Sequence, residues 1–282
     1  MEYNNYYWLN EDSRTFLSPV EHADILEFLD IGTDGNPIQN LQYGVTVGDK
    51  WMEEMKAGDK SKRKVWAKII QNRSEIGFPY IMFKDNSNNN SPYKELGLDI
   101  TASNLCSEIQ LPTDSYNSFV CCLGSINLLH WDEIKETDAV ETYVYFLNAV
   151  MDEFIIKAET MPGMKRAYNF AKNHRAIGLG VMGYHSLFQS KLIEFDSLHA
   201  KGLNSEIFRT LKDRSKIASR KLHTEHGYNS IRDGYANTTL MAIAPTKSSS
   251  FIHGAVSMGI EPIKSNYFIK DLAKSKTVYK NP

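Results

Sequence analysis

The 282-residue chain carries 32 basic and 34 acidic residues, and 42% of its residues are hydrophobic. This composition is typical of a globular protein, and the formal net charge of −2 argues against a nucleic-acid or membrane surface. Three cysteines make no disulfide framework and residues 1–5 lack the pattern of a signal peptide, so we expect a soluble cytoplasmic protein that binds neither membranes nor nucleic acid.

The first third of the chain alternates between strand and helix patterns. Ser18, Pro19 and Glu21 have the order of a capped helix start. Apolar periodicity and β-branched runs then predict a strand at residues 43–47, helices at 50–57 and 61–76, and a strand at 80–83. Polar residues 85–92 predict a long loop, which serves either as a linker or as a place from which side chains reach a ligand.

Residues 103–109 read Ser-Asn-Leu-Cys-Ser-Glu-Ile. If this segment is extended, Asn104, Cys106 and Glu108 point the same way, because side chains alternate along a strand. An amide, a thiol and a carboxyl group on one face are of little use to a hydrophobic core. The competing interpretation is a strand with one buried cysteine, since cysteine is among the most buried residue types.

Two long helices are predicted in the second half, at residues 137–160 and 197–226. His223 and His226 fall in the last turn of the second helix. We interpret them as caps rather than metal ligands, because no second ligand pair stands at a metal-site spacing. The alternation of strands and helices favours an α/β fold with a largely parallel sheet.

Between these helices, Gly178, Gly180 and Gly183 have the spacing of a dinucleotide-binding loop. A basic and polar segment precedes them instead of a strand, so we interpret these glycines as sites of close backbone packing. Further on, apolar residues 240–244 predict a strand that leads into Pro-Thr-Lys-Ser-Ser at 245–249. A hydroxyl-rich loop before a helix is either a phosphate cradle or a plain helix cap, and the residues alone leave both open.

Several motifs stand in one order along the chain. Asn-Leu-Cys-Ser-Glu at 104–108 is followed by Cys-Cys-Leu-Gly-Ser-Ile-Asn-Leu at 121–128, by the 245–249 segment, and by Gly-Ile-Glu-Pro at 259–262. In this order they resemble the catalytic large (α) subunit of ribonucleotide reductase, most like class I. The resemblance predicts a non-matching segment over residues 1–16 and a partial catalytic barrel domain over residues 17–282.

The resemblance implies a fold class and a set of site residues. The fold would be α/β, as part of the ten-stranded α/β barrel of this family, incomplete at both ends. Cys106 would be the thiyl-radical site that abstracts the substrate 3′-hydrogen, Glu108 the general base for the 3′-hydroxyl group, and Asn104 a hydrogen-bonding partner of the sugar. Cys121 matches one member of the reducing dithiol, whereas Cys122 matches no role and is predicted to pack.

The resemblance also implies a substrate and a phosphate-binding loop. Pro245, Thr246, Lys247, Ser248 and Ser249 would hold the diphosphate of a ribonucleoside diphosphate. Lys247 stands where the family more often has an acidic or small residue.

No cofactor or metal would bind this chain directly. A metal-containing small (β) subunit would supply the radical, and an external dithiol, thioredoxin or glutaredoxin, would re-reduce the enzyme through a C-terminal tail. The family's upstream reducing cysteine, its tyrosine pair and this tail have no counterpart in residues 1–282.

We therefore expect one piece of a split or truncated large subunit, which reduces ribonucleoside diphosphates to deoxyribonucleotides only together with complementary fragments. The first alternative is a non-catalytic remnant or interaction fragment of the same subunit. The second is a cysteine-nucleophile enzyme, which would need a histidine base near Cys106. No histidine lies between His22 and His130 in the sequence.

Overall fold

The computed structural model describes residues 8–10, 13–39, 41–104, 106–272 and 275–280. The chain divides into two compact units, Met1–Thr113 and Asp114–Pro282. Among the helices that the structure describes, none has the length and apolarity needed to cross a lipid bilayer.

Unit 1 contains a mostly parallel sheet with helices between its strands. The strands lie in the order β1-β2-β3-β4, with β1 antiparallel to β2 and the other neighbours parallel. In chain order the elements are β1 (Trp8–Asn10), β2 (Ser13–Pro19), α1 (Ile25–Phe28), β3 (Leu41–Val47), α2 (Asp49–Ala57), α3 (Lys60–Ile76), β4 (Tyr80–Phe83) and α4 (Lys84–Asn89). The strands and helices predicted from residue 43 to residue 83 are confirmed. Val45, Val47 and Ile69 form the fully buried centre of this unit's core.

Two predictions for unit 1 are wrong. Residues 18 and 19 do not start a helix, because β2 continues through Pro19 and pairs there with Thr46 of β3. Pairing with a buried strand outweighs the local capping preference. Residues 84–89 form α4 rather than a loop, and Asn88 anchors this helix: its side chain donates to the Ile100 carbonyl (2.9 Å) and accepts from the Ile100 N–H (2.8 Å).

Unit 2 is built around two long helices and a pair of parallel strands. Its elements are β5 (Leu123–Asn127), α5 (Trp131–Ile134), α6 (Ala139–Thr160), α7 (Lys165–His174), β6 (Gly178–Met182), α8 (Tyr184–Ser190), α9 (Leu198–His226), α10 (Lys247–Ile252), β7 (Tyr267–Leu272) and β8 (Ser275–Lys280). The two predicted long helices are confirmed as α6 and α9. Ser197 caps α9 by accepting the Ala200 N–H (3.1 Å), and His223 Nδ1 lies 2.9 Å from the Tyr228 carbonyl just beyond the helix end.

The strand predicted at residues 240–244 is present only as a single parallel bridge between Leu179 and Met241. The segment runs beside β6, where the Leu179 N–H donates to the Leu240 carbonyl (2.8 Å). A Cβ atom at Gly180 would collide with the Ala242 carbonyl oxygen. The prediction of close backbone packing at these glycines is therefore confirmed.

A buried arginine joins α6 to the start of β6. Arg175 ends α7 in the left-handed conformation (φ 44°), and its guanidinium group donates to Asn148 Oδ1 (2.9 Å) and Asp152 Oδ1 (2.6 Å). Three residues later, the Gly178 N–H donates to the Cys122 carbonyl (2.9 Å). The arginine thus helps to fix β6, which pairs with β5 directly after the two cysteines.

Candidate functional site

Asn104 and residues 106–109 form a tight turn, which we call the 104–109 turn, so the extended conformation considered for this motif is wrong. The Asn104 carbonyl accepts from the Ser107 N–H (3.1 Å), the Asn104 N–H donates to the Ile109 carbonyl (3.2 Å), and Asn104 Oδ1 accepts from the Ile109 N–H (3.0 Å). Ser107 takes the left-handed conformation that the turn needs (φ 65°). The short polar side chain of asparagine competes with strand pairing by binding nearby backbone, and here it closes the loop.

The turn presents its polar groups in different states of burial. Cys106 is exposed, whereas Asn104 and Glu108 are half-buried. Glu108 Oε2 is buried and has no hydrogen-bond partner among the described residues. Leaving a buried carboxylate oxygen unpaired costs free energy, so such an atom is suited to accept a hydrogen bond from a bound hydroxyl group.

A cavity of about 310 Å³ lies in unit 1 beside this turn. Ser103, Ser107 and Gln110 line it from the motif segment, and Asn86 and Ser87 line it from α4. The polar segment at residues 85–92 therefore contributes side chains to a cavity, although it is helical where a loop was predicted. Asn104, Cys106 and Glu108 do not line this cavity.

The two adjacent cysteines of unit 2 have different environments. Cys121 is exposed and lies two residues before the start of β5. Cys122 is 8% exposed and its thiol donates to the Leu147 carbonyl (3.4 Å). Burial raises the pKa of Cys122 to about 11, against a smaller lowering by the Arg175 charge. Cys122 is therefore a neutral packed thiol at pH 7, as predicted.

The 245–249 loop begins α10 with an unusual backbone. Thr246 adopts the left-handed conformation (φ 47°), and its hydroxyl oxygen accepts from the Gly259 N–H (2.9 Å). Lys247, Ser248 and Ser249 are exposed. Their N–H groups lie in the first helical turn, where no carbonyl of the preceding turn can accept from them.

The structure assigns the predicted site residues to both units. Asn104, Cys106 and Glu108 lie in unit 1, whereas Cys121 and the 245–249 loop lie in unit 2. Within the described ranges no group of three or more His, Cys, Asp or Glu side chains could hold a metal ion.

Sequence patterns do not single out two polar residues that support the 245–249 loop. Ser257 contacts the start of α8, and Asn127 at the end of β5 donates to the His253 carbonyl (3.4 Å). Asn127 is visible only as part of the 121–128 motif, and a serine in a loop carries no signal of its own. Both residues act through partners that are distant in sequence.

Comparison with known proteins identifies the family. The family model described as "Ribonucleotide reductase, barrel domain" matches residues 60–231 and 228–282, which is most of the chain. The chain therefore belongs to the ribonucleotide reductase large-subunit family, and its fold is part of the family's α/β barrel.

Relatives from a virus and an archaeon agree with this assignment. The chain is 34% identical to a protein of Frog virus 3 (isolate Goorha), described as a ribonucleoside-diphosphate reductase large subunit, over 91% of this chain and 50% of the relative. It is 30% identical to the vitamin B12-dependent ribonucleoside-diphosphate reductase of Thermoplasma acidophilum, over 88% of this chain and 35% of that enzyme.

A solved structure is also similar. The class Id ribonucleotide reductase alpha subunit of Actinobacillus ureae superposes with a TM-score of 0.86 and 52% sequence identity, over 90% of this chain and 50% of that subunit. The chain thus spans half or less of the length of these relatives.

Proposed function

We propose that this chain carries the substrate-reducing centre of a ribonucleoside-diphosphate reductase, as one piece of a large subunit that works with complementary fragments. The observation that carries the proposal is the 104–109 turn in a member of this family. There an exposed thiol and a carboxylate with one buried, unpaired oxygen sit two residues apart. A radical cysteine and a base that act on one sugar must be held close together and in fixed orientation.

In this proposal the turn carries out the first steps on the sugar. The Cys106 sulfur radical takes the hydrogen atom from the 3′-carbon, so a carbon–hydrogen bond breaks and a sulfur–hydrogen bond forms. Glu108 accepts the proton of the 3′-hydroxyl group. Asn104 uses its Oδ1 atom to close the turn. Its Nδ2 group, which donates to no described residue, is left to bind a sugar hydroxyl.

Residues of unit 2 have roles of their own in the same proposal. Cys121 is one thiol of the dithiol that reduces the substrate, because it is exposed while Cys122 is buried and neutral. The N–H groups of Lys247, Ser248 and Ser249 would bind the substrate diphosphate, with the charge of Lys247 beside them. The radical would come from a metal-containing small subunit, and the second reducing thiol and the contact with thioredoxin or glutaredoxin from complementary fragments.

The test is co-expression with complementary large-subunit fragments and a small subunit, followed by an assay of nucleoside diphosphate reduction. Suitable fragments are those encoded in the flanking reading frames. We expect reduction by the wild type and complete loss in Cys106→Ala, with Cys122→Ala as the matched control that keeps turnover. Activity that survives Cys106→Ala would refute the radical role. If no combination of fragments reduces substrate and the flanking frames lack the upstream cysteine and the tyrosine pair, the chain is a non-catalytic remnant.

A further inference from the structure

The start of α8 is capped by a residue more than seventy positions away. The residue at the helix N-cap is Gly183, which has no side chain to accept the first helical N–H groups. Ser257 Oγ accepts them instead, from the N–H groups of His185 (3.0 Å) and Ser186 (3.2 Å). Ser257 is 1% exposed, so these bonds are shielded from water.

The backbone of Ser257 is bound to the same helix. Its carbonyl accepts from the Gly183 N–H (2.7 Å), and its N–H donates to Ser186 Oγ (2.9 Å). The side chain, the N–H and the carbonyl of Ser257 are thus all engaged by residues 183–186. Because each interaction has a separate direction, the position and orientation of this residue are fixed.

Gly259, two residues after Ser257, contacts the 245–249 loop. The Gly259 N–H donates to Thr246 Oγ1 (2.9 Å), and Gly259 itself is left-handed (φ 44°). Thr246 is left-handed as well, which is costly for a β-branched residue and persists only when the surroundings enforce it. The Gly259 N–H is the contact that holds the Thr246 side chain in this conformation.

The segment that ends at Gly259 is fixed at its beginning, His253, by a residue of β5. Asn127 Nδ2 donates to the His253 carbonyl, which follows the last residue of α10. Residues 253–259, which we name the anchor segment, are therefore bound to β5 at one end and to α8 near the other. The N–H groups of the exposed residues 247–249 derive their position from this segment, because α10 is too short to be stable alone.

We propose that Ser257 is a positioning residue for the 245–249 loop: by capping α8 it fixes Gly259, which fixes Thr246 and the N–H groups that follow. The effect of Ser257 on substrate binding rests on the proposed function, because a loop that binds a diphosphate needs its hydrogen-bond donors held in place. Ser257 touches no substrate in this scheme. It acts through Gly259 and Thr246.

The experiment compares Ser257→Ala with Ser197→Ala. The control also removes a serine helix cap, that of α9, but Ser197 has no bond to the anchor segment. Both variants should lower the temperature of unfolding. We expect only Ser257→Ala to speed hydrogen exchange in peptides covering residues 245–260, and Ser257→Thr, which keeps the hydroxyl group, to restore slow exchange.

The complemented enzyme supplies the second readout. In Ser257→Ala the KM for the nucleoside diphosphate should rise on the order of tenfold while kcat changes less than about twofold, because ground-state and transition-state binding are weakened alike. Ser197→Ala should leave KM unchanged. A merely structural role would lower the active fraction in both variants and leave KM alone.

The outcomes separate the two proposals. If the wild type shows no reduction but the exchange results are as expected, the positioning role stands and the proposed function fails. If the wild type reduces substrate and Ser257→Ala changes neither KM nor exchange, the positioning role is wrong. Should Ser257→Ala fail to fold, exchange in the wild type decides: rapid exchange of the Gly259 amide would overturn the inference, and protection equal to that of residues 185–187 would support it.

Discussion

The 104–109 turn of unit 1 and the 245–249 loop of unit 2 are held in place by opposite means. In the turn, the hydrogen bonds join residues no more than five positions apart, and Asn104 supplies three of the groups involved. In the loop, the Thr246 hydroxyl group binds a residue thirteen positions away, and the anchor segment depends on α8 more than seventy positions away. The shape of the turn depends on hydrogen bonds among its own residues. The shape of the loop depends on distant residues, so a substitution far away in the sequence can disturb it.

The largest effect that sharpens this contrast is expected at Glu108. Glu108→Gln should lower kcat on the order of 10²- to 10⁴-fold, as expected when a general base is removed. The turn should keep its stability, because Glu108 Oε2 has no described hydrogen-bond partner to lose. Steady-state reduction by the complemented enzyme measures the effect, and Glu95→Gln, an exposed position of the same unit, is the control. An unchanged kcat would exclude Glu108 as the base.

The second largest effect is a loss of stability in acid, which we expect in unit 2 and not in unit 1. His174 of unit 2 is 3% exposed and its ring stacks on Phe170 with the centroids 4.1 Å apart. Burial lowers the pKa of His174 to about 4, against a smaller raising by the Asp114 charge. The only histidine of unit 1, His22, is exposed.

The sign follows from the unfolded chain, in which histidine has a pKa of about 6.5. Below pH 6.5 His174 is protonated in the unfolded chain, whereas in the folded chain it stays neutral until the pH falls to about 4. The contribution of His174 to the free energy of unfolding is therefore complete above pH 6.5 and is lost as the pH falls towards 4, by at most about 3 kcal/mol. Denaturant unfolding at pH 7.5 and pH 5 measures this loss. His174→Phe should reduce it, and an equal loss in the variant would contradict the assignment.

The smallest effect separates the two roles of Asn104. Asn104→Ala removes the acceptor of the Ile109 N–H, and since Ile109 is buried we expect unit 1 to lose about 1–3 kcal/mol of stability. Asn104→Asp keeps an oxygen at the same place but has no Nδ2 donor. It should retain stability and raise KM for the nucleoside diphosphate. Urea unfolding and steady-state kinetics on both variants test this, and equal destabilisation by both substitutions would show that the turn is not closed by Oδ1.

The same contrast explains which parts of the fold could be predicted. The helices α3, α6 and α9 could be recognised because their apolar residues repeat at the helical period. Asp59 and Ser197 also cap α3 and α9 with their side chains. The start of a helix at Ser18 could not be rejected from sequence, because the parallel partner that makes this segment a strand lies 27 residues later, at Val45. Local sequence patterns mispredict the secondary structure of a segment when pairing with a distant strand determines it.

The candidate site divides in the same way. The residue types at 104, 106 and 108 indicate the chemistry, but alternation along a strand gave the wrong geometry because the Asn104 side chain binds backbone instead. Thr246 and its neighbours could be proposed as a phosphate loop from their hydroxyl groups. Ser257 could not, because its importance depends on Gly183 having no side chain to cap α8.

The neighbouring cysteines give the protein a built-in folding reporter. Cys106 and Cys121 are exposed, whereas Cys122 is buried with a pKa of about 11. A short pulse of alkylating reagent at neutral pH should therefore add two labels to the native chain and three to an unfolded one, a difference that intact-mass spectrometry resolves. Any variant discussed above that leaves the cysteines in place could be checked for native packing of β5 against α6 by its label count alone, before any partner fragment or substrate is added.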